Sequence, residues 1–186
     1  EVYEHIIFDK NEHQSIAKYE DLAERSLIVS SFGKTFHTTG WKVGYCLAPD
    51  YIMKEFRKIH QFMVYCVNRP IQHALADFLE DKEQYLNLNN FYQEKRDYFI
   101  KLLDGSKFKI QPSKGTYFQT LDYSEISDSP DKEYSIELIQ KNGIATIPMS
   151  VFYHDKLHST VLRVCFAKSK ETLEQAAEKL LKVSKN

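Results

Sequence analysis

Short apolar runs with a two-residue period alternate with longer segments whose apolar residues recur at helical spacing, which restricts this chain to an α/β fold. Residues 2–8, with Val2, Ile6, Ile7 and Phe8, read as the tail of a strand. Ser26–Ser31, with Leu27, Ile28 and Val29, reads as a buried strand, and Val43, Tyr45 and Leu47 alternate as in a half-buried one. Pro49-Asp50 stops that strand and opens a helix with Ile52, Phe56, Ile59 and Met63 on one face. Pro70 starts another helix, with Ile71, Ala74, Leu75 and Phe78 at helical spacing. A charged, helix-patterned segment then runs from Lys82 to Leu103 and ends at Asp104-Gly105.

Beyond it the pattern changes. Phe108-Lys109-Ile110 and Thr116–Leu121 read as strands around the turn Pro112-Ser113-Lys114-Gly115. A helix follows the loop Asp128–Asp131 and runs to Asn142-Gly143, and Thr160–Phe166 reads as a strand. A last helix, capped by Ser169, carries Leu173, Ala176, Ala177, Leu180 and Leu181 on one face. The expected organisation is residues 1–80, a connecting helix at 81–105, and a compact α/β domain at 106–186.

Composition narrows the function classes. A net charge of −1 gives no electrostatic footprint for nucleic acid or a membrane surface. Hydrophobic residues at 42% and aromatics at 13% suit a packed globular chain, and 186 residues can bury one sizeable core or two small ones. Cys46, Cys66 and Cys165 form no C-x-x-C pair and read as reduced, mostly buried thiols of a cytoplasmic protein. Neither a signal peptide nor a long apolar span is apparent.

The chemistry concentrates in Ser31-Phe32-Gly33-Lys34-Thr35-Phe36-His37-Thr38-Thr39-Gly40-Trp41-Lys42. A lysine follows a short apolar run inside a Ser/Gly/Thr-rich turn, and a second lysine stands eight positions on. A lysine so placed can condense with an aldehyde while its neighbours offer a hydroxyl and a cation to a phosphate, which is what pyridoxal phosphate asks of a protein. Gly33-Lys34-Thr35 also looks like the tail of a nucleotide-binding P-loop, but that loop needs a glycine where Ile28 stands. The nucleotide reading is therefore discarded. His154 and His158 lack a third ligand at a recognisable spacing and read as a surface pair, so no metal site is expected. Tyr117-Phe118 and Phe152-Tyr153 read mostly as core.

Three separated motifs share one resemblance. Ser31 to Tyr45 with His60-Gln61-Phe62 and Val67-Asn68-Arg69-Pro70-Ile71-Gln72, the opening Glu1-Val2-Tyr3-Glu4-His5, and the closing Leu162-Arg163-Val164-Cys165-Phe166-Ala167-Lys168 together resemble the class I/II aminotransferases of fold type I. Within these the chain looks most like the methionine/kynurenine (glutamine transaminase K-like) branch. The resemblance implies a pyridoxal 5′-phosphate cofactor held by Lys34 as Schiff-base lysine and proton shuttle, with Ser31 and Lys42 on its phosphate and Tyr3 on its ring oxygen. Many family members carry arginine where Lys42 stands, and lysine binds phosphate as a point charge without the bidentate fork. Arg163 matches the arginine that clamps the substrate carboxylate, and the resemblance also brings part of the Phe152-Tyr153 segment toward the substrate pocket. A lone arginine inside the apolar run Val161 to Phe166 wants an anionic partner.

The activity so implied moves an amino group from a large apolar, aromatic or sulfur-containing amino acid to a 2-oxo acid, in a protein that is a homodimer when intact. Two alternatives share the motifs: a C–S β-lyase, and a non-catalytic module that senses an amino acid or pyridoxal phosphate. Family members are roughly twice this length. The chain is thus expected to be the C-terminal half of such an enzyme: the end of the large domain, then the small domain. The family's D-E-V-Y-E-H segment is met here without its aspartate, the carboxylate that pairs with the cofactor's ring nitrogen. The isolated chain is therefore expected to be inactive, and to self-associate through surface that the missing half would cover.

Overall fold

The computed structural model describes residues 1–155 and 158–185. The chain divides into two compact units, residues 1–89 and the remainder from Asn90 onward. The first holds α1 (Glu20–Ala23), β1 (Ile28–Ser31), α2 (Phe32–Thr35), β2 (Gly44–Leu47), α3 (Asp50–Met63), α4 (Arg69–Leu79) and α5 (Glu83–Leu86). Helix α6 (Leu88–Leu102) begins at its end. The second holds β3 (Phe118–Asp122), α7 (Asp131–Glu137), β4 (Ile147–Pro148), β5 (Val161–Cys165) and α8 (Lys170–Val183).

In the first unit β1 and β2 pair antiparallel, with Ser30 opposite Tyr45 and Ser31 opposite Gly44. The sequence pattern leads one to expect Ser26–Ser31 to be buried, yet Leu27 and Val29 are 49% and 57% exposed while Ser30 is buried. A sheet of two strands has too little area to be covered on both faces. Residues 2–8 make no strand ladder: the Ile6 amide donates to the Tyr3 carbonyl at 2.9 Å, closing a turn. The Glu4 carboxylate is drawn across to β1 and β2, accepting from Ser30 Oγ at 2.9 Å and from the Tyr45 hydroxyl at 3.0 Å.

Helix α4 starts where expected, with Asn68 Oδ1 accepting from the Ile71 amide at 3.2 Å and a proline in the first turn. The face expected to be apolar core on α3 is only partly covered, Ile59 and Met63 being 58% and 78% exposed. The segment from Lys82 to Leu103 is not one helix: Asn87 (φ −95°, ψ 3°) separates α5 from α6. Asparagine competes locally for backbone hydrogen bonds and favours such breaks. Cys66, expected among buried thiols, is exposed in the turn after α3, whereas Cys46 and Cys165 are half-buried; all three are free.

The second unit is a three-stranded antiparallel sheet in the order β3-β5-β4. Leu162, Val164 and Phe166 alternate into the core from β5, and α8 meets it with Leu173, Ala177 and Leu180. Ser169 Oγ caps α8 by accepting from the Thr172 amide at 3.3 Å. Phe108–Ile110, expected as a strand, contributes a single bridge from Lys109 to Asp122, because Asp122 is the last residue of β3. Helix α7 does not stop as an α-helix but continues as a π turn over Leu138–Asn142, ending at Gly143 with φ 63°. Strand β4 carries no periodic signal in the sequence; its two residues are held by pairing with Leu162 and Arg163.

Candidate active site

Strand β1 runs directly into α2, so Ser31 is the last strand residue and Lys34 sits within the first turn beyond it. Ser31 occupies the cap position of α2 without spending its hydroxyl on a capping bond. The chain then reverses through His37 (φ 56°) and Lys42 (φ 57°), both left-handed, and re-enters the sheet as β2. A left-handed conformation at a non-glycine residue costs of order 1 kcal/mol or more and persists where the surroundings impose it. Here it folds Lys42 back toward the end of β1.

Ser31, Lys34, Thr39, Lys42 and Gly44 line one cavity of about 250 Å³, together with Gly33 and Val43. Two glycines give it its shape. A Cβ on Gly44 would stand 2.4 Å from the Ser30 carbonyl oxygen, and one on Gly33 would stand 2.9 Å from Thr39 Cα. Only glycine permits these approaches of backbone to backbone. Among the described residues neither the Lys34 nor the Lys42 ammonium has a hydrogen bond or an ion pair. Two uncompensated cations and a free hydroxyl around one small cavity suit a dianionic group such as a phosphate. Sequence reasoning singled out Ser31, Lys34 and Lys42, and the fold brings all three together. Tyr3 is half-buried beside Glu4 and does not line this cavity. Gly44 went unnoticed; its signal is the glycine inside an otherwise alternating strand.

In the second unit Arg163 lies at the middle of β5, paired with Thr120 on one side and Ile147 on the other. Its guanidinium is sandwiched, with the carbon 4.1 Å from the Phe118 ring centroid and 4.7 Å from that of Phe152. Its Nε is buried and has no hydrogen-bond partner among the described residues, and no carboxylate pairs with it there. Phe152, which composition reads mostly as core and the resemblance brings toward the substrate pocket, is 55% exposed and lies over the cation. The turn that carries it is held by Asp131, whose carboxylate accepts from the Ser150 amide at 2.7 Å and the Ser150 hydroxyl at 2.6 Å. Arg163 also lines a cavity of about 480 Å³ with Phe118, Thr146, Lys168 and Lys179. A planar donor held between two rings with its edge unpartnered is prepared for a carboxylate.

Comparison with known proteins adds to this geometry. The family model of aminotransferase class I and II matches residues 1–180. The methionine aminotransferase of Escherichia coli (strain K12) is 49% identical over 181 residues, 97% of this chain and 47% of that protein. Kynurenine–oxoglutarate transaminase 1 of Homo sapiens is 34% identical over 204 residues, 98% of this chain and 48% of that protein. The crystal structure of YbdL from Escherichia coli, described as having a methionine aminotransferase function, superimposes with a TM-score of 0.94 at 49% identity, over 98% of this chain and 48% of that one. N-succinyldiaminopimelate aminotransferase from Mycobacterium tuberculosis superimposes with a TM-score of 0.91 at 32% identity, over 98% of this chain and 48% of that one. The chain spans about half the length of the curated relatives it matches.

Proposed function

The chain belongs to the class I and II aminotransferases, and from that premise we propose that the whole protein transfers an amino group between a sulfur-containing, aromatic or large apolar amino acid and a 2-oxo acid. The observation that carries this reading is the cavity in which Ser31, Lys34 and Lys42 converge with two unpaired ammonium groups. The likeness to the methionine and kynurenine aminotransferases supports the substrate class. On this reading residues 1–80 belong to the large cofactor-binding domain, 81–105 connect, and 106–186 form the small domain.

The residues present fit pyridoxal 5′-phosphate: the glycine-shaped cradle is small, cationic and hydroxyl-bearing. When bound, that group supplies an electrophilic aldehyde and a ring that draws electron density from the substrate α-carbon. Lys34 Nζ would hold the aldehyde and, once freed by the substrate amine, would be the base that moves the proton at the substrate α-carbon. Ser31 Oγ and Lys42 Nζ would hold the phosphate, the first by donating a hydrogen bond and the second as a point charge. By the family resemblance, the Tyr3 hydroxyl would donate to the ring oxygen. By the family resemblance, Arg163 would bind the substrate carboxylate through its guanidinium edge, while Phe118 and Phe152 keep the plane of the fork fixed. The two rings also exclude water from the faces of the cation, which strengthens its pairing with an anion.

No helix among the described residues is long and apolar enough to cross a membrane. The three free thiols support a reducing compartment, the cytoplasm, and the family supports a homodimer for the intact protein. The test is borohydride reduction of the chain mixed with pyridoxal phosphate, followed by peptide mass mapping. A pyridoxyl adduct on Lys34, absent from Lys34→Ala, is the expected result. Labelling scattered over surface lysines would sink the proposal for this cavity.

A further inference from the structure

A second cavity of the first unit, about 350 Å³, is lined by groups that the aminotransferase reading does not use. Its wall is a chain of rings. His5 lies 5.2 Å from Tyr85, Tyr85 lies 6.0 Å edge-on from Phe36, Phe36 stacks on Phe32 at 6.0 Å, and Phe32 tilts against Tyr45 at 5.1 Å. The chain closes on a carboxylate, because the Tyr45 hydroxyl donates to Glu4 Oε1 at 3.0 Å and Glu4 adjoins His5 in sequence. Ser30 Oγ also donates to Oε1, at 2.9 Å. The other oxygen, Oε2, is buried and has no hydrogen-bond partner among the described residues. Burial of His5 lowers its pKa below the ordinary histidine value, which favours the neutral imidazole near pH 7.

Four aromatic rings, the His5 imidazole and one incompletely bonded carboxylate line a single cavity, with Thr35, Leu47 and Leu79 completing its wall; aromatic faces and carboxylate oxygens both attract positive charge. No lysine or arginine lines this cavity. We propose that it is a binding site for a small organic cation, an ammonium group carried on an apolar body. The Glu4 carboxylate would supply the counter-charge for the ammonium, and Tyr85, Phe36 and Phe32 would enclose the body. A zwitterionic amino acid is disfavoured, because its carboxylate would find no counter-charge and would meet Glu4. The volume is of the size that encloses a small-molecule ligand.

The experiment is a nuclear magnetic resonance titration of the ¹⁵N-labelled full chain, without added pyridoxal phosphate, using three probes of similar shape: phenethylammonium, 2-phenylethanol and phenylalanine. The ammonium should bind about ten-fold or more tightly than the alcohol and the zwitterion, with shifts centred on Glu4, His5 and Tyr85. Glu4→Gln should bring the ammonium down to the affinity of the alcohol. Tyr85→Leu, which leaves the Ser30 and Tyr45 bonds to Glu4 in place, should weaken the ammonium several-fold. That variant and the three-probe comparison decide the matter if Glu4→Gln does not fold. Equal affinity for ammonium and alcohol would leave only an apolar cavity and overturn the proposal, as would no binding at all. Lys34→Ala should lose the pyridoxyl label and keep the ammonium site, so the two assignments fail independently.

Discussion

The two units solve the same packing problem with unequal success. Among the described residues the second unit buries Leu121, Tyr123, Leu138, Leu162, Phe166, Leu173 and Leu180 to 2% exposure or less, whereas in the first only Ile6 and Phe8 reach that level. The first instead leaves Phe62, Met63 and Tyr65 exposed by 86%, 78% and 81%. One cause is sheet size. In the second unit three strands present a face wide enough for α8 to cover; in the first, two strands do not. What the first unit does hold rigidly is the backbone around Lys34, through glycine contacts and the Glu4 hydrogen bonds rather than apolar burial. The lesson is that a well-shaped candidate site does not require a well-buried core beside it.

The largest test of this difference is a matched pair of truncations. Leu162→Ala, at a fully buried position of β5, should cost about 2–5 kcal/mol, while Val29→Ala, at a position 57% exposed, should stay within about 0.5 kcal/mol. Urea denaturation of both variants measures this directly, and equal costs would break the comparison. A second pair probes the glycine cradle. Gly44→Ala would press a methyl carbon to 2.4 Å from the Ser30 carbonyl oxygen, forcing β1 and β2 apart at a cost of about 1–3 kcal/mol. Gly40→Ala meets nothing within 4 Å and should be close to neutral. Thermal melts rank the two, and the Gly44 variant alone should also lose labelling at Lys34.

Much of this was legible beforehand, for a physical reason. The Lys34 turn is a local object: its apolar run, its Gly33 and its hydroxyls lie within a dozen residues, so the pattern along the chain is nearly the pattern in space. Helices α4 and α8 announced themselves through Asn68, Pro70 and Ser169 for the same reason. What could not be read depends on partners distant in sequence. The two residues of β4 exist as a strand only because β5 is there to pair with them. By composition alone Phe152 looks like core, and only the family resemblance hints otherwise; Asp131, 21 positions earlier in the sequence, pins its turn over Arg163. Residues 2–8 have strand composition, and their turn reflects a carboxylate bonded to Ser30 and Tyr45. Exposure of Val29 is likewise a property of the sheet, not of the strand.

Proton binding offers a gentler probe of each unit. In the second, burial pushes Tyr92 up to about 12 and pushes Tyr123 up as well. A group whose folded pKa is raised contributes stability fully present below its unfolded value and lost as pH rises through the folded one. The second unit should therefore weaken from about pH 10 toward pH 12, with the tyrosinate absorbance of these two rings appearing only on unfolding. Tyr45 is shifted the same way in the first unit. His5 runs opposite: its pKa is lowered by burial, so its contribution is present above the unfolded value near 6.5 and lost as pH falls below it. Stability measured at pH 7 and pH 5 should fall less in His5→Phe than in the parent chain.

The smallest effects belong to the helix caps, and they separate local from global stability. Asn68 caps α4 and Ser169 caps α8 with amide bonds of 3.2 and 3.3 Å, so the bonds themselves are alike. Replacing either by alanine removes one side-chain acceptor, worth about 1 kcal/mol in a typical helix. The helices differ in what they bury: α8 commits Leu173, Ala177 and Leu180 to the core, and α4 commits Leu75 alone. Fraying the first turn of α8 disturbs Leu173 at once, so Ser169→Ala should lower the stability of the whole second unit. Fraying α4 reaches no buried side chain until Leu75, two turns in, so Asn68→Ala should appear as faster amide exchange confined to residues 69–74 with little change in global unfolding. If both variants instead shift global unfolding equally, the first unit packs α4 as firmly as the second packs α8, and the contrast drawn from burial is wrong.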